Sequence, residues 1–262
     1  MSENLEGKVA LVTGGAMGLG KAITKLLLSE GCRVAFADMN QLAGEKTQQE
    51  FQAIYGADRI KFIICDVTDD EAFEALFRRV PRTHQRVQKK KNHQGFAVKP
   101  KTKTITFFLQ PKRRLAYNAL KHQQRFEVRL HYFIYIHNNT CSYALPGLVV
   151  CPVIPAYNAS KYGVIGLTRA FGTDFYYSRT GVRVSCLCPE PIETDLWRGI
   201  SNFCQEIKVN SPYITENYGK QIQKAENVAK GVTKLIRDER NGAALLSLYD
   251  EGLVYHEFTT VR

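Results

Sequence analysis

The chain has 262 residues, 44% of them hydrophobic, enough to bury the core of a full-sized domain. Seven cysteines, odd in number and scattered through apolar runs, argue against a disulfide framework and for reduced thiols in a reducing compartment. The net charge of +11 belongs to one segment: between Pro81 and His137 fourteen Lys and Arg face a single acid, Glu127, so the rest of the chain sums to −2.

Met1–Lys8 shows no basic segment followed by an apolar core, so no signal peptide is expected. No apolar run approaches the ~18–20 residues that span a bilayer, and a cytoplasmic protein without a membrane partner is expected. Cys186 and Cys188 have one residue between them and no second Cys/His pair at finger spacing, so no metal site is expected.

In chain order, Lys8–Val12 is a predicted strand that runs into T-G-G-A-M-G-L-G at Thr13–Gly20. Gly18, Leu19 and Gly20 open a helix whose apolar residues Ile23, Leu26, Leu27 and Leu28 recur near period 3.6. A strand, a glycine turn and a helix in this order form a phosphate cradle. Glycines let the backbone approach an anion, and the helix N-terminus offers it unpaired N–H groups. The bland alternative is a set of glycines needed only for a tight turn.

Cys32–Asp38 is a second predicted strand ending in a carboxylate, eighteen residues after Gly20. That is the place for an acid that bonds the adenosine ribose hydroxyls. Met39 and Asn40 follow, with no arginine to neutralise a 2′-phosphate, which favours NAD over NADP. The alternative is an acid that merely ends a strand. Arg59–Cys65 is the third strand, ending in Asp66-Val67. Asp66 can meet the adenine amine with Val67 against the ring, or cap a helix over Asp69–Arg79, or both.

The basic segment follows. Lys89, Lys90 and Lys91 cannot sit in a central parallel strand, because burying unpaired ammonium groups costs several kcal/mol each. Together with Lys112–Arg114 and interleaved aromatics they could grip phosphates nonspecifically. Charge runs are usually solvated, however, and no recognised nucleic-acid module surrounds this one. A nucleic-acid partner is therefore not expected. Val128–Ile136 has strand character.

Tyr157 and Lys161 in Y-N-A-S-K are four residues apart, on one face of a helix predicted over Tyr157 to Tyr176. Small residues Gly163, Gly166 and Ala170 suit that helix to close packing. Tyrosinate can take an alcohol proton, and a neighbouring ammonium lowers the phenol's pKa from ~10. Gly181–Pro189 is a further predicted strand; Glu226–Arg237 and Ala243–Tyr249 read as the last helix and strand.

The glycine loop, the acid at Asp38 and the Tyr157/Lys161 pair resemble the short-chain dehydrogenase/reductase family, most of all its NAD-dependent 15-hydroxyprostaglandin dehydrogenase-like members. The resemblance covers about 1–80 and 146–262. It implies an α/β protein: a three-layer Rossmann fold with a doubly wound parallel sheet, as one NAD-binding domain over 1–262 with an irregular basic central segment. It implies oxidation of a secondary alcohol, prostaglandin-like or another lipid or small hydroxy compound, and a homodimer. Tyr157 is then the acid/base and Lys161 holds the ribose and lowers the tyrosine pKa. The cofactor would meet Gly14, Met17, Gly18, Leu19, Gly20, Asp38, Met39, Cys65, Asp66, Val67, Tyr157, Lys161, Ile192 and Thr194.

Four features depart from the family pattern. The register of the asparagine-glycine turn after the fourth strand falls on Asn92-His93-Gln94-Gly95, preceded by the lysines. The family's catalytic serine falls on Ala144, with Ser142 the nearest substitute, and Leu109–Arg113, where its catalytic asparagine is expected, contains none. The usual Pro-Gly after the sixth strand reads Pro189-Glu190, a change expected to disturb that loop. A foreign stretch over 81–145, such as retained intron sequence, accounts for the charge break. It leaves a second reading, an NAD-binding remnant with impaired catalysis.

Overall fold

A computed structural model describes residues 5–84, 104–108, 130–136, 155–193 and 222–258. In chain order its elements are β1 (Val9–Thr13), α1 (Gly18–Ser29), β2 (Arg33–Asp38), α2 (Gln41–Tyr55), β3 (Ile60–Ile64) and α3 (Asp70–His84). They continue with β4 (Thr104–Phe108), β5 (Leu130–Ile136), α4 (Pro155–Phe171), α5 (Asp174–Thr180), β6 (Arg183–Pro189), α6 (Ala225–Asp238), β7 (Ala244–Leu248) and β8 (Gly252–His256).

The strands form one sheet in the order β3-β2-β1-β4-β5-β6-β7-β8. Every pair is parallel except β7 with β8. The chain reverses direction across the sheet between β1 and β4, the topological switch point of a doubly wound fold.

Alternation along β1 explains why its residues are buried throughout and nearly all apolar. Ala10 and Val12 face a layer holding Ile23 and Leu27 of α1, Phe51 of α2 and Val232 and Ile236 of α6. Val9 and Leu11 face the opposite layer with Phe73 and Leu76 of α3 and Val164 and Ile165 of α4. A strand covered on both faces has no solvent side, so period-two polarity disappears.

The fourth strand is T-I-T-F-F at Thr104–Phe108, seated between β1 and β5, and not the lysine run before Asn92. An apolar strand is what a position between two parallel neighbours requires. Leu130–Ile136 is the fifth strand, as its composition indicates. Asn92 and Leu109–Arg113 lie outside the described residues.

The single helix expected over Tyr157 to Tyr176 is two. Gly172 lies so close to Gly242 that a Cβ there would collide with the Gly242 backbone, and α4 ends at this contact. The chain restarts as α5 after Thr173, and Gly181 in the left-handed region closes it. The antiparallel strand β8, absent from the sequence reading, pairs with β7 along its whole length. Among the described residues no helix is long and apolar enough to cross a membrane.

Candidate active site

Because β1, β2, β3 and β6 are parallel, the loops that leave their carboxyl ends gather along one edge of the sheet. Gly14–Met17, Cys65–Val67 and Glu190–Glu193 all lie there, with Asp38 closing β2. In open α/β sheets this edge is where ligands bind.

The glycine loop is shaped by positive φ values at Gly14 (64°) and Gly18 (51°), where side chains are disfavoured. Gly15 is required by contact: a Cβ there would lie 2.6 Å from Phe36 Cβ on β2. Met17 precedes α1 in extended conformation and offers its first turn no side-chain cap. Leu19 and Gly20 are buried in that turn.

Asp38 braces this loop. Its Oδ2 accepts from the Ala16 N–H at 3.1 Å and its Oδ1 from the Asn40 N–H at 3.0 Å. Thr47 Oγ1 donates to the Ala16 carbonyl at 2.9 Å from α2, a contact that nothing in the sequence pattern signals. Met39 is 72% exposed. The end of β3 is tied to the same place, since the Cys65 N–H donates to the Asp38 carbonyl at 3.0 Å.

The two roles weighed for Asp66 separate. Asp69 caps α3, accepting from the N–H groups of Glu71 (2.9 Å) and Ala72 (3.1 Å). Asp66 forms a local turn, accepting from Thr68 N–H at 2.7 Å, and stays exposed with Val67 half-buried beside it.

Tyr157 sits in the first turn of α4, one turn before Lys161 on the same face; its side chain lies outside the described residues. Lys161 is 5% exposed. Burial pulls its pKa from the ordinary 10.5 down to about 8, and proximity to Cys188 of β6 acts in the opposite sense. The Cys188 thiol is held well above its usual range by its bond to Cys186, 3.7 Å away, and by burial. It is an inert neighbour.

Glu190 does not disturb the loop after β6. It avoids the left-handed region that would demand glycine. Its N–H donates to the Ser247 carbonyl at 3.0 Å, and its Oε2 accepts from the Tyr249 N–H at 2.6 Å. Ile192, 2% exposed, follows in this loop. Ser142 and Thr194 lie outside the described residues.

The sheet order and the glycine turn at its carboxyl edge define a Rossmann-type α/β domain. Two family profiles match the chain, "short chain dehydrogenase" over 8–99 and "Enoyl-(Acyl carrier protein) reductase" over 140–247. The human protein named 15-hydroxyprostaglandin dehydrogenase [NAD(+)] is 30% identical over 264 residues, covering 98% of this chain and 97% of its own. The Bos taurus protein of that name is 29% identical over 270 residues, covering 98% and 97%. Among solved structures, a variant of the actinorhodin polyketide ketoreductase with NADPH superposes with a TM-score of 0.70 at 21% identity, covering 95% of this chain and 98% of that one. The chain belongs to the short-chain dehydrogenase/reductase family and is an oxidoreductase.

Proposed function

We propose that this chain is an NAD-dependent dehydrogenase that oxidises a secondary alcohol to a ketone, the alcohol being prostaglandin-like, another lipid or a small hydroxy compound. The observation that carries the reading is Lys161, buried one helical turn after Tyr157 on α4 and close to β6. A lysine is not buried at 5% exposure for packing alone.

The residues present fit a dinucleotide. The uncapped first turn of α1 leaves N–H groups for a pyrophosphate, and the glycine loop brings backbone within reach. Asp38 retains lone pairs for ribose hydroxyls, and its carboxylate would repel a 2′-phosphate with only Met39 and Asn40 following. This favours NAD although the ketoreductase structure holds NADPH; the human and bovine relatives are named for NAD(+).

When bound, NAD accepts the hydride that leaves the carbinol carbon. Tyr157, as phenolate, takes the hydroxyl proton as the carbonyl forms. Bringing a phenol from ~10 to near 7 requires ~4 kcal/mol of differential stabilisation, which a neighbouring ammonium helps to supply. With a pKa of about 8, Lys161 is still mainly protonated at neutral pH and available for that role. By family resemblance Ser142 bonds the substrate oxygen, Asn92 helps to seat the cofactor, and Ile192 and Thr194 meet its nicotinamide carboxamide.

Residues 1–262 are read as one domain and the protein as cytoplasmic. It is further read as a homodimer through the outer face of α4. There Ala159, Gly166 and Ala170 are exposed, and the space above Gly163 and Gly166 is open.

The test is NADH formation from a panel of secondary alcohols, with NADP in parallel and Tyr157→Phe as control. NADH appearing with wild type but not with Tyr157→Phe supports the reading. Cofactor binding with no turnover, unchanged in the variant, would instead identify the remnant.

A further inference from the structure

We infer that Gln223 is a positioning residue for the nicotinamide end of the cofactor site; this deepens, and rests on, the cofactor reading above. The loop Glu190–Glu193 leaves the carboxyl end of β6 with few donors of its own, because Pro189 and Pro191 carry no N–H. Something else must hold it.

Gln223 does so with backbone and side chain together. Its N–H donates to the Pro191 carbonyl at 2.8 Å, and its carbonyl accepts from the Glu193 N–H at 3.0 Å. These two bonds clasp Ile192 against Gln223 as a parallel bridge outside the sheet proper. The side chain then anchors the clasp to β7. Nε2 donates to the Ser247 carbonyl at 2.6 Å, and Oε1 accepts from Ser247 Oγ at 2.8 Å.

The same Ser247 carbonyl accepts from the Glu190 N–H, so one strand end holds both limbs of the loop. Gln223 is 6% exposed and Ser247 2%. A buried amide and hydroxyl that satisfy each other fix one geometry, and breaking either leaves a buried polar group unpaired. The polar bonds of this network join the loop after β6 to Gln223 and β7. Its effect is therefore expected at the end of the cofactor that this loop meets.

The experiment measures calorimetric binding of NADH and of ADP-ribose, which lacks only the nicotinamide, to wild type, Gln223→Ala and Ser247→Ala. Losing the paired side-chain bonds is expected to weaken NADH about 10-fold in Gln223→Ala and about 3-fold in Ser247→Ala, with ADP-ribose within about 2-fold of wild type. Loss of both ligands in parallel would overturn the inference in favour of a general structural role, and so would no change in either. If Gln223→Ala does not fold, Ser247→Ala decides alone by the same NADH to ADP-ribose ratio. Wild type that binds neither ligand would sink the cofactor reading and this inference with it; wild type that binds both, with variants of unaltered ratio, sinks the inference only.

Discussion

At the β1–β3 end of the sheet, loop geometry comes from residues that a reader meets together in the chain. Gly14, Gly15 and Gly18 set the turn, and Asp38, twenty-two positions from its partner Ala16, braces it. At the β6–β7 end the equivalent stretch, Pro189–Glu193, has no glycine and two prolines. It is held by Gln223 and Ser247, and by Glu190 reaching fifty-nine positions to Tyr249. The first end uses backbone freedom and the second uses buried side-chain pairing. A glycine turn tolerates little addition but needs few partners, whereas the proline loop depends on each of its partners being present.

The largest effect expected separates chemistry from both ends. Tyr157→Phe should lower kcat by about 10²–10⁴, the usual worth of a positioned acid/base, with NADH affinity retained. A variant that keeps full turnover removes the catalytic assignment.

Next comes Lys161→Met. A lysine whose pKa falls from 10.5 to about 8 on folding makes the unfolded state bind more protons between those values, so stability rises with pH across that window. Below pH 8 the charged lysine therefore destabilises the fold, by roughly 3 kcal/mol for this shift. Lys161→Met should be the more stable protein there in denaturant melts, and its advantage should close between pH 8 and 10.5. A constant difference would show that desolvation is not what moves this group.

The glycine end is broken by Gly15→Ala, which places a methyl against Phe36 and should cost about 1–3 kcal/mol of stability as overpacking. Asp38→Asn should weaken NAD about 10-fold while narrowing the preference over NADP, since it removes the charge but keeps an acceptor. Equal NAD and NADP affinities in wild type would deny Asp38 its selective role.

The smallest effect belongs to Glu190→Gln at the other end. Burial, with Asp250 and Glu251 nearby, raises the Glu190 pKa against the opposing Tyr249 N–H bond. A carboxyl raised on folding contributes most below its unfolded pKa and loses that contribution as pH rises. Glu190→Gln should therefore gain on wild type toward neutral pH and lose the gain in acid, as read from paired thermal melts.

Much of the fold was legible because it rests on local signals. Buried strands such as Val9–Thr13 and Arg33–Asp38 are apolar runs, and the glycine loop announces itself by spacing. The strand position between β1 and β5 is filled by Thr104–Phe108, which sequence alone does not identify. A five-residue strand inside a basic segment carries too little pattern. The break between α4 and α5 was invisible because it arises from Gly172 meeting Gly242, seventy positions away.

By itself the sequence determined the class: a glycine turn, an acid at the end of β2 and a tyrosine and lysine one helical turn apart are short-range facts. Tertiary structure alone decided that Lys161 is buried, that Asp38 braces Ala16 and that Gln223 ties the Pro191–Glu193 loop to Ser247. Burial and long-range hydrogen bonds depend on which distant segments meet, and no local spacing encodes that meeting.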